Sequence, residues 1–316
     1  MFLELGGDRT LAKTELSRIP VFSISNADGK GLGAFALYPL RRGDLILSES
    51  PLFTIPMRGG SGDEGVVSSA VNRLSPQNLQ QYLSLMNAHN GSGKFKSPLT
   101  GLFQTNSFTL DNDTAGIFIQ ASRFNHSCSP NARYSWNPEI KCFAIYALRD
   151  IAAGDEILVS YLSSRGVYGS TRAARQARLG RYAFSCTCVA CALQGPAAAA
   201  SDGRRTEVAK LWESVPYFQP NQTRERLLAI TRAIHLLQEE GYSADYDDFT
   251  NDAAVICAFH SDWASAKYWA TKTYETRVAE FGEDSYRAKE VKAMFLNPKS
   301  CTMAGKGPRQ TFNVRL

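Results

Sequence analysis

Three short stretches carry most of the side chains that could do chemistry. Arg123-Phe124-Asn125-His126-Ser127-Cys128-Ser129-Pro130-Asn131 combines an imidazole, a thiol, hydroxyls and carboxamides in a turn-rich segment. Gly154-Asp155-Glu156-Ile157-Leu158-Val159-Ser160-Tyr161 turns the chain and then runs extended to a tyrosine. Cys186-x-Cys188-x-x-Cys191 crowds three thiols together, and tetrahedral zinc wants four ligands at about 2.3 Å from each sulfur, so one must come from elsewhere. The other cysteines are Cys128, Cys142, Cys257 and Cys301. Cys142 falls in a stretch that reads as a core strand, Cys257 reads as buried and Cys301 is terminal. An odd total of seven, clustered in this way, suits metal ligation in a reducing compartment better than a disulfide framework. Upstream, Lys30-Gly31-Leu32-Gly33 is a turn through which backbone could approach a ligand, although a lone Gly-x-Gly reads first as a hairpin turn. Taken singly, Tyr161 ends a strand and His126 satisfies buried backbone groups.

In this order, the three stretches resemble the catalytic half of a SET-domain protein lysine methyltransferase, most closely the branch typified by the SET-and-MYND proteins. The resemblance implies S-adenosylmethionine as methyl donor and a protein or peptide lysine, on a histone or another protein, as acceptor. It assigns Lys30, Gly31, Leu32 and Gly33 to the methionine end of that cofactor, and Asn106 of Asn-Ser-Phe to a second contact. Asn125 and His126 would hold ribose, amino group and adenine, with Phe184 stacked on the adenine ring. Tyr161 matches the catalytic tyrosine, and Phe108 and Tyr182 match aromatic walls of the lysine channel. Tyr161 and Tyr182 would also border the cofactor. Cys128 would join Cys186, Cys188 and Cys191 around one structural zinc, which pins the chain after Gly180 onto the central loop. The chemistry asked of such a site is modest: a neutral amine held about 3 Å from the methyl carbon, in line with the leaving sulfur. An apolar, aromatic-walled channel favours the neutral amine by desolvation. The family also threads the segment bearing Tyr161 past the Asn-His-Ser-Cys loop, an exception to unknotted connections. One departure is plain. Residues 57–120 hold no cysteine and only His89, so the zinc finger of SET-and-MYND proteins is missing there.

The elements around these residues predict an α+β chain of 316 residues, with 44% hydrophobic and 21% charged residues and a net charge of +5. Strands are expected over 19–24, 34–38, 44–49 and 52–55, forming one small antiparallel unit, then a loop at 57–65 and helices from Gly65 to Asn87 broken at Ser75-Pro76. A hairpin is expected over 132–148, a strand over 157–161 and a helix over 170–180, whose Arg172, Arg175, Arg178 and Arg181 read as a solvated face. The resemblance implies a SET domain over residues 1–192, with a helical insert at about 57–100 and a post-SET segment at about 180–192. Gln194–Gly203 reads by composition as a linker within 193–204. Residues 205–296 read as a helical domain in which Trp263, Ala266, Tyr268, Trp269, Ala270 and Tyr274 resemble a tetratricopeptide-type helix pair, their aromatics core rather than surface. The basic tail 297–316 is expected to fray. No apolar run would span a bilayer, and Met1–Asp8 lacks the basic lead and apolar run of a secretion signal, so a monomeric protein of the nucleus or cytoplasm is expected. Two other functions are weighed. One is a non-catalytic SET-fold scaffold that binds partners through the helical domain. The other is nucleic-acid binding through Arg165 and the arginines at 172–181, which would be steeply salt-dependent.

Overall fold

The computed structural model describes residues 20–57, 63–111, 113–242 and 246–316. Met1–Asp8, the start of the first strand at Ile19 and most of the 57–65 loop lie outside them. The opening hairpin pairs β1 (Phe22–Ala27) with β2 (Gly31–Ala36), with Asn26 opposite Leu32 and Ser25 opposite Gly33. Gly29 and Gly31 close the turn at φ +70° and +76°, in the left-handed region that side chains avoid. β9 (Glu156–Ile157) adds to the other edge of β2, with Ala34 opposite Ile157.

The strands of the first 56 residues do not form one unit, as their spacing suggests; they are dealt to three sheets. β3 (Leu45–Glu49) pairs with β8 (Cys142–Ala147), which pairs with β7 (Ala132–Asn137). β4 (Phe53–Pro56) pairs with β6 (Thr114–Ile117), which pairs with β5 (Phe108–Asp111). Two-stranded ribbons this short are marginal alone, so each finds a third strand from later in the chain.

Between β4 and β5 lie α1 (Glu64–Val71), α2 (Pro76–Leu83) and α3 (Pro98–Asn106), each opened by a side chain that accepts from the first turn: Asp63, Ser75 and Ser97. Pro76 and Pro98 sit in the first turn, where no intrahelical N–H is needed. These helices bury Val67, Val71, Tyr82, Leu102 and Phe103 against Ile55 and Ile117 of the β4–β6 pair.

After β9 the chain passes through α4 (Ser164–Tyr168), α5 (Arg172–Leu179) and α6 (Val189–Ala192) into five longer helices: α7 (Gly195–Ser214), α8 (Thr223–Glu239), α9 (Asp247–Phe259), α10 (Trp263–Phe281) and α11 (Tyr286–Leu296). Each packs on the next in sequence. Trp269, Ala266 and Ala270 are fully buried, as the aromatic–alanine pattern predicts. Among the described residues no helix is long and apolar enough to cross a membrane.

Two expectations fail here for physical reasons. The linker at 194–203 is the first half of α7. Gly195 and Pro196 read as breakers, but at a helix start proline is tolerated, and Ala197–Ala200 are the strongest helix formers. The tail does not fray either. Phe312 and Val314 are buried, Trp269 Nε1 donates to the Val314 carbonyl at 3.2 Å, and the Phe312 N–H donates to Asp262 Oδ2 at 3.0 Å. The basic side chains of the tail, Lys299, Lys306, Arg309 and Arg315, are exposed.

Helical region and β-rich region are joined by buried polar contacts. Glu280, on α10, accepts from Arg133 of β7 at 2.7 Å. Glu240 binds Arg204 Nε at 2.6 Å and the fully buried Arg205 Nε at 2.9 Å, while Arg205 Nη1 reaches the Val167 carbonyl of α4 at 2.6 Å. Breaking such a buried pair strands a charge at a cost of about 3–5 kcal/mol. Glu240→Gln is therefore expected to lower unfolding free energy by an amount in that range, read by chemical denaturation. A loss well under about 1 kcal/mol would mean that the pair is replaced by solvent.

Candidate active site and thiol cluster

The segment 156–161 lies along the central loop 124–131, and their hydrogen bonds fix the site. Val159 N–H donates to Asn125 O at 3.0 Å and Ser127 N–H to Val159 O at 2.9 Å, a parallel bridge between His126 and Val159. Asn131 holds the same segment with its side chain, donating to Glu156 O at 2.9 Å and accepting from Leu158 N–H at 2.7 Å. The ladder strand is thus shorter than 157–161: past Ile157 the backbone groups turn from the sheet to the loop. That switch delivers Tyr161 to His126.

His126 is buried and its two ring nitrogens have distinct partners. The Tyr161 backbone N–H can only donate, and it lies 2.9 Å from Nδ1, so Nδ1 accepts. Nε2 therefore carries the proton and faces Cys128 Sγ at 3.3 Å. Burial pushes the imidazole pKa down to about 4, so this neutral tautomer persists. The Tyr161 hydroxyl donates to the Phe124 carbonyl at 3.0 Å, and burial raises its pKa, so it remains a protonated hydroxyl and no general base.

Aromatic rings gather around Tyr161: His126 at 5.3 Å between centroids, Tyr182 at 5.0 Å and Phe184 at 6.3 Å. Ala183 stands between the last two at φ +59°, a left-handed residue that turns both neighbouring rings toward Tyr161. Arg181 stacks on the Tyr182 ring at 4.6 Å and its Nη2 donates to the Tyr182 hydroxyl at 2.5 Å.

The glycine strand closes the other side. Asn125 Nδ2 donates to Leu32 O at 3.0 Å and to Glu156 Oε1 at 2.8 Å, while Lys30 forms an ion pair with Glu156 Oε2. A Cβ on Gly33 would lie 2.7 Å from Glu156 Oε1 and 3.0 Å from Asn125 Nδ2, so no side chain fits there. Leu32 and Phe184 stay exposed beside these polar groups.

Two of the sequence-selected residues stand apart. Asn106 ends α3, buried, with its side-chain amide donating to Met86 O at 2.7 Å and Leu102 O at 2.8 Å. The amide thus ties the end of α3 to the Met86 segment, and it makes no bond to the glycine strand or to Asn125. Phe108 packs on Tyr134 at 5.3 Å, Phe143 at 4.7 Å and Phe118 at 5.9 Å, without ring contact to Tyr161 or Tyr182. Tyr134 lines a groove of about 500 Å³ between the β7–β8 hairpin and the helical region, with Trp136, Phe143, Phe281 and Tyr286.

The four thiols of Cys128, Cys186, Cys188 and Cys191 come together, all sulfurs within 4.8 Å of one another. A zinc tetrahedron has sulfur–sulfur edges of roughly 3.8 Å from its bond length, and Cys191 and Cys128 sulfurs are 3.6 Å apart. The set fits one metal ion. Cys142 lies outside it, bonded to Ser48 at 2.9 Å. Gln176 of α5 clamps Cys186 reciprocally, donating to its carbonyl at 2.7 Å and accepting from its N–H at 2.9 Å. Arg175 does not belong to a solvated face: it is fully buried, with Nη1 on Ser170 O at 2.5 Å and Nη2 3.9 Å from Cys191 Sγ. Burial pulls its pKa down, but the charge of the neighbouring sulfurs outweighs that and raises it. Tyr242, ahead of α9, donates to the Cys128 carbonyl.

Residues 31–162 match the SET domain family. The chain carries a SET domain. Histone-lysine N-methyltransferase set5 of Schizosaccharomyces pombe is 27% identical over 286 residues, 90% of this chain and 86% of that protein. The SMYD5 protein-lysine N-trimethyltransferase of Homo sapiens is 34% identical over 82 residues, 26% of this chain and 20% of that protein. A SET domain-containing protein of Acanthamoeba polyphaga mimivirus is 25% identical over 195 residues, 51% of this chain and 74% of the relative. The set5 likeness therefore extends from the SET domain through the helical region, whereas that to SMYD5 covers a fraction of either chain.

Sequence reasoning missed five residues around the SET domain site. Glu156 lay within a quoted motif but looked like a turn carboxylate; its pairing with Lys30 joins residues 126 positions apart. Tyr134, Tyr242 and Arg181 carry no local signal at all. Arg175 could have been found, because an arginine on the apolar side of α5 must be buried.

Proposed function

We propose that this protein is an S-adenosylmethionine-dependent protein lysine N-methyltransferase acting on a lysine of a histone or another protein. The observation that carries the reading is the convergence of polar groups on the glycine strand: Asn125 and Glu156 close against Gly33 where a Cβ would collide with them, and Lys30 pairs with Glu156. The Tyr161–Tyr182–Phe184 cage adjoins the His126 ring. Polar groups flanked by exposed Leu32 and Phe184 suit a ligand with a charged amino-acid end and a flat aromatic end. Lys30, Gly31, Leu32, Gly33, Asn125 and His126 would hold it, with Phe184 on the adenine. Asn106 would contribute no side-chain contact to it in this arrangement. When bound, the cofactor supplies an electrophilic methyl on sulfur, which leaves as a thioether when the lysine nitrogen takes the methyl.

The protein's part is to position and to exclude water. Tyr161, kept protonated, and Tyr182 bound the lysine nitrogen. Phe108 packs on Tyr134, which lines the groove under the helical region, a fitting seat for the substrate chain. Desolvation there lowers the amine pKa, which leaves its lone pair free to attack; the proton departs to water. Zinc on the four thiolates would fix the Phe184 segment, and Arg175 would offset the net negative charge of such a centre. Protein partners at the helical region and a nuclear or cytoplasmic location accord with this reading.

The direct test is transfer of tritiated methyl groups to core histones and to a lysate depleted of them. Label on lysine is the expected result; a cofactor-binding protein that labels nothing would reverse it. Gly33→Ala should weaken cofactor binding more than about tenfold, since the added methyl must displace Glu156 or Asn125. Calorimetry reads this, and unchanged affinity would move the cofactor away from the glycine strand.

A further inference from the structure

Beside the tyrosine cage is a second hollow, of about 470 Å³, that the proposed reaction does not use. Tyr161, Leu162 and Ser163 form one wall, Trp212 and Glu213 of α7 another, and Arg165, Arg178 and Arg181 the rim. All three arginines are exposed. Among the described residues no carboxylate lies within ion-pair distance of any of them, whereas Arg133, Arg204, Arg205, Arg226, Arg232, Arg277 and Arg287 elsewhere all have one. Two of the three forks are nonetheless aimed. Arg178 Nη1 is held by the Ser170 hydroxyl at 3.0 Å and by the Gly166 carbonyl at 3.4 Å, and Arg181 is held by the Tyr182 hydroxyl. Glu213 is the single acidic group of the lining, so the hollow carries a net positive charge.

We propose that this hollow is an anion-selecting subsite that favours substrate lysines flanked by glutamate or aspartate. The inference rests on the methyl-transfer reading, and it names the substrate class for the same site. Tyr161 lies in the wall of the hollow and Arg181 touches Tyr182, so a chain whose lysine enters the cage brings its neighbouring residues to the rim. An arginine fork matches a carboxylate in two parallel hydrogen bonds, and a concave, tyrosine-walled pocket takes a side chain of an extended peptide. A nucleic acid would seek a longer basic track, and here the neighbouring arginines are spent: Arg175 is buried in the thiol cluster and Arg172 is bound to the Leu193 carbonyl. The same positive rim disfavours lysines set among arginines.

The test compares fluorescein-labelled peptides bearing one central lysine flanked by glutamates, glutamines or arginines. Binding is read by anisotropy without cofactor, and methyl transfer is read separately with it. We expect the glutamate peptide to bind about tenfold tighter than the glutamine one, a preference that shrinks with added salt. In Arg165→Gln/Arg178→Gln protein the ratio should fall to near one, and Arg165→Lys/Arg178→Lys, which keeps the charge, should restore part of it. Equal binding in the wild type, a preference for arginine flanks, or a preference that survives the glutamine variant would each overturn the proposal. So would displacement of the glutamate peptide by a short RNA at lower concentration than by polyglutamate. Selective binding without methyl transfer to any peptide would leave the subsite standing and count against the methyltransferase reading instead.

Discussion

Cys128→Ser protein is expected to hold no zinc, to unfold at a much lower temperature and to lose measurable S-adenosylmethionine binding. The effect is large because Cys128 serves the cluster and the loop together. Its sulfur is one of four in the proposed metal site and also accepts from His126 Nε2, while its carbonyl takes the Tyr242 hydroxyl. A four-thiolate zinc supplies on the order of 10 kcal/mol to a small irregular segment, and the chain from Ala183 to Cys188 has little secondary structure of its own. Without metal, the thiolates no longer share one cation, Arg175 is left as a buried charge, and the His126 ring loses the partner that orients it toward Tyr161. Phe184, carried on the same segment, would be freed from the site. Cys142→Ser is the matched control, since its sulfur bonds only locally, to Ser48, Glu49 and Phe143. Metal analysis and thermal melts on both variants check this. Zinc retained in Cys128→Ser, or lost equally in Cys142→Ser, would remove Cys128 from the site.

Tyr161→Phe should separate chemistry from binding. The ring packs on His126, Tyr182 and Phe184, and phenylalanine keeps that packing; only the hydroxyl on the Phe124 carbonyl is lost. Groups that act on the reacting atoms are typically worth about 10²–10³ in rate, so single-turnover methyl transfer should fall by that order. Cofactor affinity should stay within a few-fold. If both fall together, Tyr161 is holding the loop rather than serving the reaction.

Much of this was legible in the sequence because the motifs are local. The central loop, the Gly-Asp-Glu turn and the Cys-x-Cys-x-x-Cys run each carry their chemistry within a few residues. The helical character of 205–296 was legible as well. What was not legible depends on where strands find partners and where charges are buried. β3 and β4 look like neighbours but join different sheets, because their partners are set by β8 and β6 far along the chain. The Pro196 and alanine run of α7 has the composition of a linker and the propensity of a helix, and propensity won. Phe312 and Val314 are only two apolar residues in a basic tail, yet they meet a groove made by Trp269 and His260. Asn106 fits the family motif by type, but the end of α3 needs its amide more locally.

On the proposed reading, the Gly33–Asn125–His126–Tyr161 site binds S-adenosylmethionine for methyl transfer to lysine. Calorimetric titration of that cofactor into protein of measured zinc content tests it most directly. The account predicts one site per chain with micromolar affinity, weakened by Gly33→Ala and little changed by Tyr161→Phe. A folded, zinc-loaded protein that takes up no cofactor would contradict it, and the helical region would then become the part of the molecule to probe for partners.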